Sequence, residues 1–123
     1  MNKKNILIVE DQSIIAIDEW QIVHDLGYEV AGIFGSGEEA LESIKLHKPD
    51  LVLMDIFLEG NMDGRETALK IMDLYQIPVI FITAYGDKKE AQSIKDSMPL
   101  SFGYIIKPFT KEELEYEINE LIN

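Results

Sequence analysis

The chain contains no cysteine. That excludes a disulfide framework, thiolate chemistry and any Cys-ligated metal. Positive charge is scarce: 11 Lys and Arg stand against 23 Asp and Glu, a formal net charge of -12. Nucleic-acid surfaces need clustered Lys and Arg, so no nucleic-acid contact is expected within this chain. The acidity itself reads as solubility and solvated helix faces. No apolar run approaches the roughly 20 residues that span a bilayer, so no membrane association is expected. The opening Met1-Asn2-Lys3-Lys4 leads into a short strand and lacks the apolar core and cleavage site of a secretion signal. The expected compartment is therefore cytoplasmic. Histidine is nearly absent too. His24 and His47 both fall in helical stretches, where they read as surface residues rather than ligands or phosphodonors.

What the chain does have is alternation. Its 123 residues match about one domain, and a hydrophobic content of 46% is enough for one core. Short apolar runs alternate with helical patterns. Ile6–Val9 is strand 1, and Ala16, Trp20 and Val23 place a helix over Ser13 to Leu26, with Trp20 in the core and Gly27 ending it. Strand 2 is Glu29 to Phe34. Ser36-Gly37-Glu38-Glu39 is a capping box opening helix 2, which runs to His47. Strand 3 is Leu51 to Met54. Asp63 caps helix 3, whose Ala68, Ile71, Met72 and Tyr75 share one face. Strand 4 is Pro78 to Ile82, and Asp87 opens helix 4, with Ala91, Ile94 and Met98 inward. Strand 5 is Gly103 to Ile106, and Thr110 caps helix 5, striped by Leu114, Ile118 and Leu121. The pattern is (βα) five times over, an α/β doubly wound parallel sheet in order 2-1-3-4-5 with helices on both faces. No linker or low-complexity stretch interrupts it, so residues 1–123 read as one domain. The chain ends inside helix 5, as a free-standing or an excised domain would.

In such a sheet the chemistry collects at the carboxyl ends of the strands. Asp55 closes the apolar run Leu51-Val52-Leu53-Met54, an ionisable residue at the end of a strand buried on both faces. Glu10 and Asp11 follow strand 1, Thr83 ends strand 4 and Lys107 follows strand 5. Strands 1, 3 and 4 are neighbours in this order, so Glu10, Asp11 and Asp55 are expected to converge with Thr83 beside them. Lys107 lies two strands from Asp55, within reach of a four-carbon side chain. Three carboxylates together repel one another, and a hard divalent cation with oxygen ligands offsets them. A carboxylate beside Mg²⁺, a hydroxyl donor and an ammonium is equipped to attack a phosphoryl group and form an aspartyl phosphate. Each residue alone is ordinary: an Asp can cap a helix, a Thr can simply fit a strand, and a Lys is usually solvated. Their common register raises them to a site.

These residues carry a resemblance to the response regulator receiver domains of two-component signalling, of the chemotaxis-regulator kind. It covers nearly the whole chain, Ile6 to Leu121, through ILIVED (Ile6–Asp11), LVLMDI (Leu51–Ile56), the Asp63-Gly64 turn, IPVIFITAY (Ile77–Tyr85) and GYIIKPF (Gly103–Phe109). The resemblance implies a flavodoxin-like fold with Asp55 as phospho-acceptor. Glu10, Asp11 and the backbone carbonyl of Phe57 would join Asp55 around Mg²⁺, for which Mn²⁺ is a substitute. Thr83 and Lys107 would hold the phosphoryl group, and Tyr104 would be the aromatic switch. The Lys107-Pro108 bond is expected to be cis. The phosphodonor would be a phosphohistidine on a sensor histidine kinase or histidine phosphotransfer protein. Phosphorylation would remodel the surface of helix 4, strand 5 and helix 5 for an output partner or attached domain that the sequence does not name. The domain catalyses its own phosphorylation and dephosphorylation without being a dedicated enzyme, as a monomer or a phosphorylation-dependent dimer.

One loop departs from the family's commonest pattern. Glu59 stands where a Pro is usual after the acceptor, and Gly64 falls one residue late. A subset of receivers shares this longer loop. Phe57 and Tyr85 stand two residues beyond Asp55 and Thr83, and both are expected to overhang the acceptor, hinder hydrolytic water and lengthen the phosphoryl lifetime. The phosphodonor protein is expected to dock near Gln12, Ser13 and Ile14. Three other readings are weaker. An aspartyl-phosphate phosphatase typically has a second Asp two residues after the first, where Phe57 stands. A flavin module needs a Ser-, Thr- and Gly-rich loop after strand 1, where Glu10-Asp11-Gln12 would repel phosphate. A pseudo-receiver would lack part of the five-residue set.

Overall fold

The computed structural model describes residues 3–58, 60–84, 86 and 88–123, the side chain of Lys88 excepted. Strands β1 (Asn5–Val9), β2 (Glu29–Phe34), β3 (Leu51–Asp55), β4 (Val79–Thr83) and β5 (Phe102–Ile106) form one sheet, ordered β2-β1-β3-β4-β5. Every adjacent pair is parallel. Helices α1 (Ser13–Asp25), α2 (Gly37–Leu46), α3 (Gly64–Tyr75), α4 (Lys88–Ser97) and α5 (Lys111–Ile122) fill the crossovers. The expected doubly wound architecture is thus the observed one.

The central strands β3 and β4 are buried at every position, as expected of strands covered on both faces. The edge strand β2 instead alternates exposed with half-buried residues. Strand ends shift by one residue from the sequence reading. Asp55 belongs to β3 because it pairs in register with Ile82, and Phe102 belongs to β5 opposite Val79. Pro78 stays outside β4, although its carbonyl accepts from Val52 N at 3.1 Å. Caps form at three of the helix starts, with Thr110 making the full capping box and Ser36, read as one, only its forward half. The side chains of Ser36, Asp63 and Thr110 accept from the backbone N–H of Glu39, Glu66 and Glu113, which satisfies donors a helix start leaves open.

The core is two apolar layers, one on each face of the sheet. The first joins Leu7, Val9, Val52, Met54, Val79 and Phe81 to Ala40 and Ile44 of α2, Ala68, Ile71 and Met72 of α3 and Ile94 of α4. The second joins Ile6, Ile8, Leu51, Leu53, Ile80 and Ile82 to Ala16 and Val23 of α1 and Leu114 and Ile118 of α5. Successive strand residues point to opposite faces, so one strand feeds both layers.

Helix α1 is rotated relative to its sequence reading. Trp20 is 38% exposed, and the face turned to the sheet is Ala16, Glu19 and Val23. Trp20 instead stacks on His24 at 5.1 Å between ring centroids. The reason lies in α1 itself: Ile14, Ile15, Ile17, Trp20 and Ile22 spread apolar surface around most of the helix, so periodicity alone offers no single face.

Candidate functional site

Five residues reach the carboxyl edge of the sheet from four strands. Asp55 is the last residue of β3 and is 6% exposed. Its Oδ1 accepts from the backbone N–H of Phe57 at 3.1 Å, which fixes the start of the next loop. Glu10, just past β1, is buried, and Asp11 beside it is half-buried. One carboxylate oxygen each from Glu10, Asp11 and Asp55 lie within 4.8 Å of one another. Thr83, at the end of β4, is fully buried, and its carbonyl accepts from Lys107 N at 2.8 Å. That bond ties the end of β4 to the turn after β5, where the Lys107-Pro108 peptide is cis as expected.

Lys107 crosses to β1. Its Nζ donates to Glu10 Oε1 at 2.7 Å, and Glu10 Oε2 accepts from Gln12 N at 3.1 Å. Burial works against the ammonium charge. The hydrogen bond to Glu10 and the charges of Asp55, Glu10 and Glu19 outweigh it and raise the Lys107 pKa above the ordinary lysine value. Lys107 therefore offsets negative charge at this edge, bonded to Glu10 and held in the field of Asp55.

A glycine sets how closely the next helix approaches. A side chain on Gly64, the first residue of α3, would collide with the backbone carbonyl of Asp55. Gly64 N also donates to the Ile56 carbonyl at 3.0 Å, so the helix starts directly against the end of β3. The long loop before it ends in that contact.

The aromatic residues take separate places. The Phe57 ring is 52% exposed beside Asp55. Tyr104 is half-buried, and its hydroxyl donates to Glu90 Oε1 of α4 at 2.6 Å. Tyr85, expected to overhang the acceptor with Phe57, lies outside the described residues, as does Glu59. Gln12, Ser13 and Ile14 are exposed at the start of α1.

The family model described as "Response regulator receiver domain" matches residues 6–119. The chain belongs to the response regulator receiver family. It is 33% identical over 111 residues to the transcriptional regulatory protein PdtaR of Mycobacterium tuberculosis, covering 90% of this chain and 53% of that one. It is 30% identical over 118 residues to the phyllosphere-induced regulator PhyR of Methylorubrum extorquens, covering 95% and 43%. The chain thus spans about half the length of these relatives. Among solved structures, the signal receiver domain of a modulated diguanylate cyclase from Desulfovibrio desulfuricans superposes with a TM-score of 0.87 at 36% identity, covering 98% of this chain and 94% of that one. A CheY-like receiver domain protein from Methanospirillum hungatei gives 0.82 at 31%, covering 97% and 93%. Receiver domains are signalling modules rather than dedicated enzymes, and the acidic group of this one is Glu10, Asp11 and Asp55. No helix among the described residues is long and apolar enough to cross a membrane.

The sequence reading of this receiver domain missed Glu19. It is 2% exposed, and its Oε2 has no hydrogen-bond partner among the described residues. Burial first, then the charge of Glu10, pushes its carboxyl pKa up to about 8; Lys107 pulls it down, and Asp55 and Asp18 push it up further. A fourth acid, itself buried, therefore stands within the electrostatic field of the site. A signal for it existed: Ala16, Glu19 and Val23 share the i, i+3, i+7 spacing of one helix face.

Proposed function

We propose that this chain, residues 1–123, is one receiver domain that accepts a phosphoryl group on Asp55 from a phosphohistidine of a sensor histidine kinase or histidine phosphotransfer protein. The observation that carries the reading is the meeting of Glu10, Asp11 and Asp55 within 4.8 Å at the strand ends, beside Thr83 and Lys107. An Asp55 carboxylate oxygen attacks phosphorus. The new O–P bond forms as the N–P bond breaks, and the imidazole nitrogen leaves with the bonding pair.

The donor set fits a hard divalent cation: carboxylate oxygens of Glu10, Asp11 and Asp55, with the Phe57 carbonyl as a further oxygen. Mg²⁺, or Mn²⁺ in its place, would offset charge on the carboxylates and on the transferred group. A structural relative at 25% identity and TM-score 0.87 supports this: the CheY of Borrelia burgdorferi was solved as a CheX-CheY-BeF3-Mg²⁺ complex. Lys107 turns from Glu10 toward the phosphoryl oxygens, which releases a Glu10 oxygen as it adds positive charge where negative charge arrives. Thr83 donates its hydroxyl to the same group.

The switch follows from the same edge. As Thr83 is drawn to the phosphoryl group, Tyr104 turns inward and gives up its bond to Glu90, remodelling the face of α4, β5 and α5. That face controls a partner or an attached output domain in cytoplasmic phosphorelay signalling, as a monomer or a phosphorylation-dependent dimer. The phosphodonor docks over Gln12, Ser13 and Ile14. Phe57 and Tyr85 shield the acyl phosphate from in-line water. A Phe57→Asn, Tyr85→Glu double variant should lose phosphate several-fold faster, and unchanged loss would remove this role.

The test is incubation with Mg²⁺ and acetyl phosphate, followed by intact-mass measurement. Wild type should gain one phosphoryl group and Asp55→Asn none. No gain in wild type, with acetyl phosphate or with a phosphohistidine donor, would leave a domain that only binds partners.

A further inference from the structure

Helix α4 is lightly seated. Among its described side chains Ile94 alone is buried, and most of the others are exposed and polar. A helix that buries so little apolar surface depends on its other contacts for its orientation. Two side-chain hydrogen bonds reach it from different elements. From β5, the Tyr104 hydroxyl donates to Glu90 Oε1 at 2.6 Å. From α3, Arg65 Nη2 donates to Ser93 Oγ at 2.8 Å. Glu90 and Ser93 are three residues apart, so both bonds grip the same stretch of α4.

Arg65 stands on firmer ground than Ser93. It follows Gly64, which is packed against the Asp55 carbonyl and donates its N–H to the Ile56 carbonyl at 3.0 Å. Asp63 caps the same turn, and Thr67 and Ala68 just after it are fully buried. The first turn of α3 is thus fixed to the end of the strand that carries Asp55. The Arg65–Ser93 bond fastens α4 to that fixed point. A lengthening of about 1 Å takes such a bond out of range, so it is sensitive to any shift of α4 against α3.

We propose that the Arg65–Ser93 bond is a latch that holds α4 in its resting position and opposes the switch. The inference rests on the receiver reading above, in which Tyr104 gives up Glu90 and the face of α4, β5 and α5 is remodelled. With Glu90 released, Arg65 still ties α4 to the end of β3, and α4 moves away only as that bond breaks. A bond made in the resting state and lost in the switched state stabilises the resting state. By linkage it weakens, by the same factor, any ligand that favours the switched state. A bond of this kind at an exposed position shifts such an equilibrium by roughly three- to tenfold.

The test is a double-mutant cycle of Arg65→Met and Ser93→Ala, read two ways on the full chain. Arg65→Met keeps a long stem and removes the donor; Ser93→Ala removes the acceptor without changing charge. Unchanged methyl signals from Ile44 and Leu53 report that each variant is folded. In the unmodified chain, Arg65→Met should speed amide exchange in α4 at least threefold, leave Ala68 to Met72 of α3 unchanged, and have no further effect once Ser93 is Ala. With Mg²⁺ present, beryllofluoride serves as the phosphoryl mimic and is titrated by NMR. Each single variant should bind it at least threefold tighter than wild type, and the double variant no tighter than the singles. Unchanged exchange in α4, or additive effects of the two substitutions, would overturn the latch. Beryllofluoride binding in both single variants within 1.5-fold of wild type would also overturn it and leave the receiver reading standing. A wild-type chain that takes up neither beryllofluoride nor a phosphoryl group would instead remove the receiver reading, and the proposal with it.

Discussion

The two helical layers of this sheet treat polar groups differently. In the layer of α2, α3 and α4 the buried polar residue is Thr67, and its hydroxyl donates to the Asp63 carbonyl one turn back at 2.8 Å. The contact is tight enough that a side chain on Gly37 would collide with that hydroxyl. In the layer of α1 and α5 the buried polar residue is Glu19, whose Oε2 has no such partner. The same layer turns Ile14, Ile17 and Trp20 outward, with exposures of 79%, 61% and 38%. In the first layer the fully buried polar group is satisfied, and the unpartnered oxygen there, Oε1 of Glu38, belongs to a half-buried residue at the start of α2. The other layer holds an acid inside and apolar surface outside, next to the reactive edge. The comparison teaches where this molecule spends stability: conflicts between local preference and burial gather beside functional sites.

The largest effect should come from breaking the packed layer. Ile71→Ala removes a fully buried side chain of α3 and should cost about 2–5 kcal/mol in urea unfolding. A cost below about 1 kcal/mol would mean that the layer relaxes around the cavity and is not tightly packed.

Next comes Glu19. Its carboxyl holds a proton up to about pH 8 in the folded chain but only to about 4.5 when unfolded. Between those values the folded state binds more protons, so stability falls as pH rises. Its contribution is fully present below about pH 4.5 and lost as pH passes about 8, a change on the order of a few kcal/mol. Glu19→Gln should flatten that slope, and Glu19→Leu should raise stability at pH 8 by about 1–3 kcal/mol. Equal slopes in wild type and Glu19→Gln would place the titration elsewhere.

A smaller effect is expected at the helix caps, which are alike in both layers. Asp63→Ala at α3 and Thr110→Ala at α5 should each cost about 1 kcal/mol by thermal or urea unfolding. A much larger loss at Asp63 alone would show that the loop after Asp55 depends on that cap. The smallest effect belongs to the outer face of α1. Ile17→Ser should change stability by no more than about 0.5 kcal/mol, because Ile17 is 61% exposed. A loss above 1 kcal/mol would mean that this face is covered in solution.

Legibility from sequence followed the same division. The runs Leu51–Met54 and Val79–Ile82 announce strands covered on both faces, because nothing but a two-layer sheet buries every residue of a strand. The caps at Ser36, Asp63 and Thr110 are legible because capping is a contact across three residues. Helix α1 was not legible. Its apolar residues surround it, so only packing against β1 and β2 decides which side turns in. The outcome buries Glu19 and exposes Trp20.

The candidate site divides in the same way. The sequence by itself determined that Glu10, Asp11, Asp55, Thr83 and Lys107 stand at strand ends, because apolar runs and turn residues are local signals and the parallel topology gathers their ends at one edge. Only the tertiary structure decided the pairings. Lys107 meets Glu10 across a separation of 97 residues, Tyr104 meets Glu90 of α4, and Gly64 rests on the carbonyl of Asp55. The rotation of α1 and the unpartnered oxygen of Glu19 belong to the same class. Periodicity fixes which residues reach an edge or a face; the choice of partner there depends on distances and desolvation that exist only once distant segments are packed together.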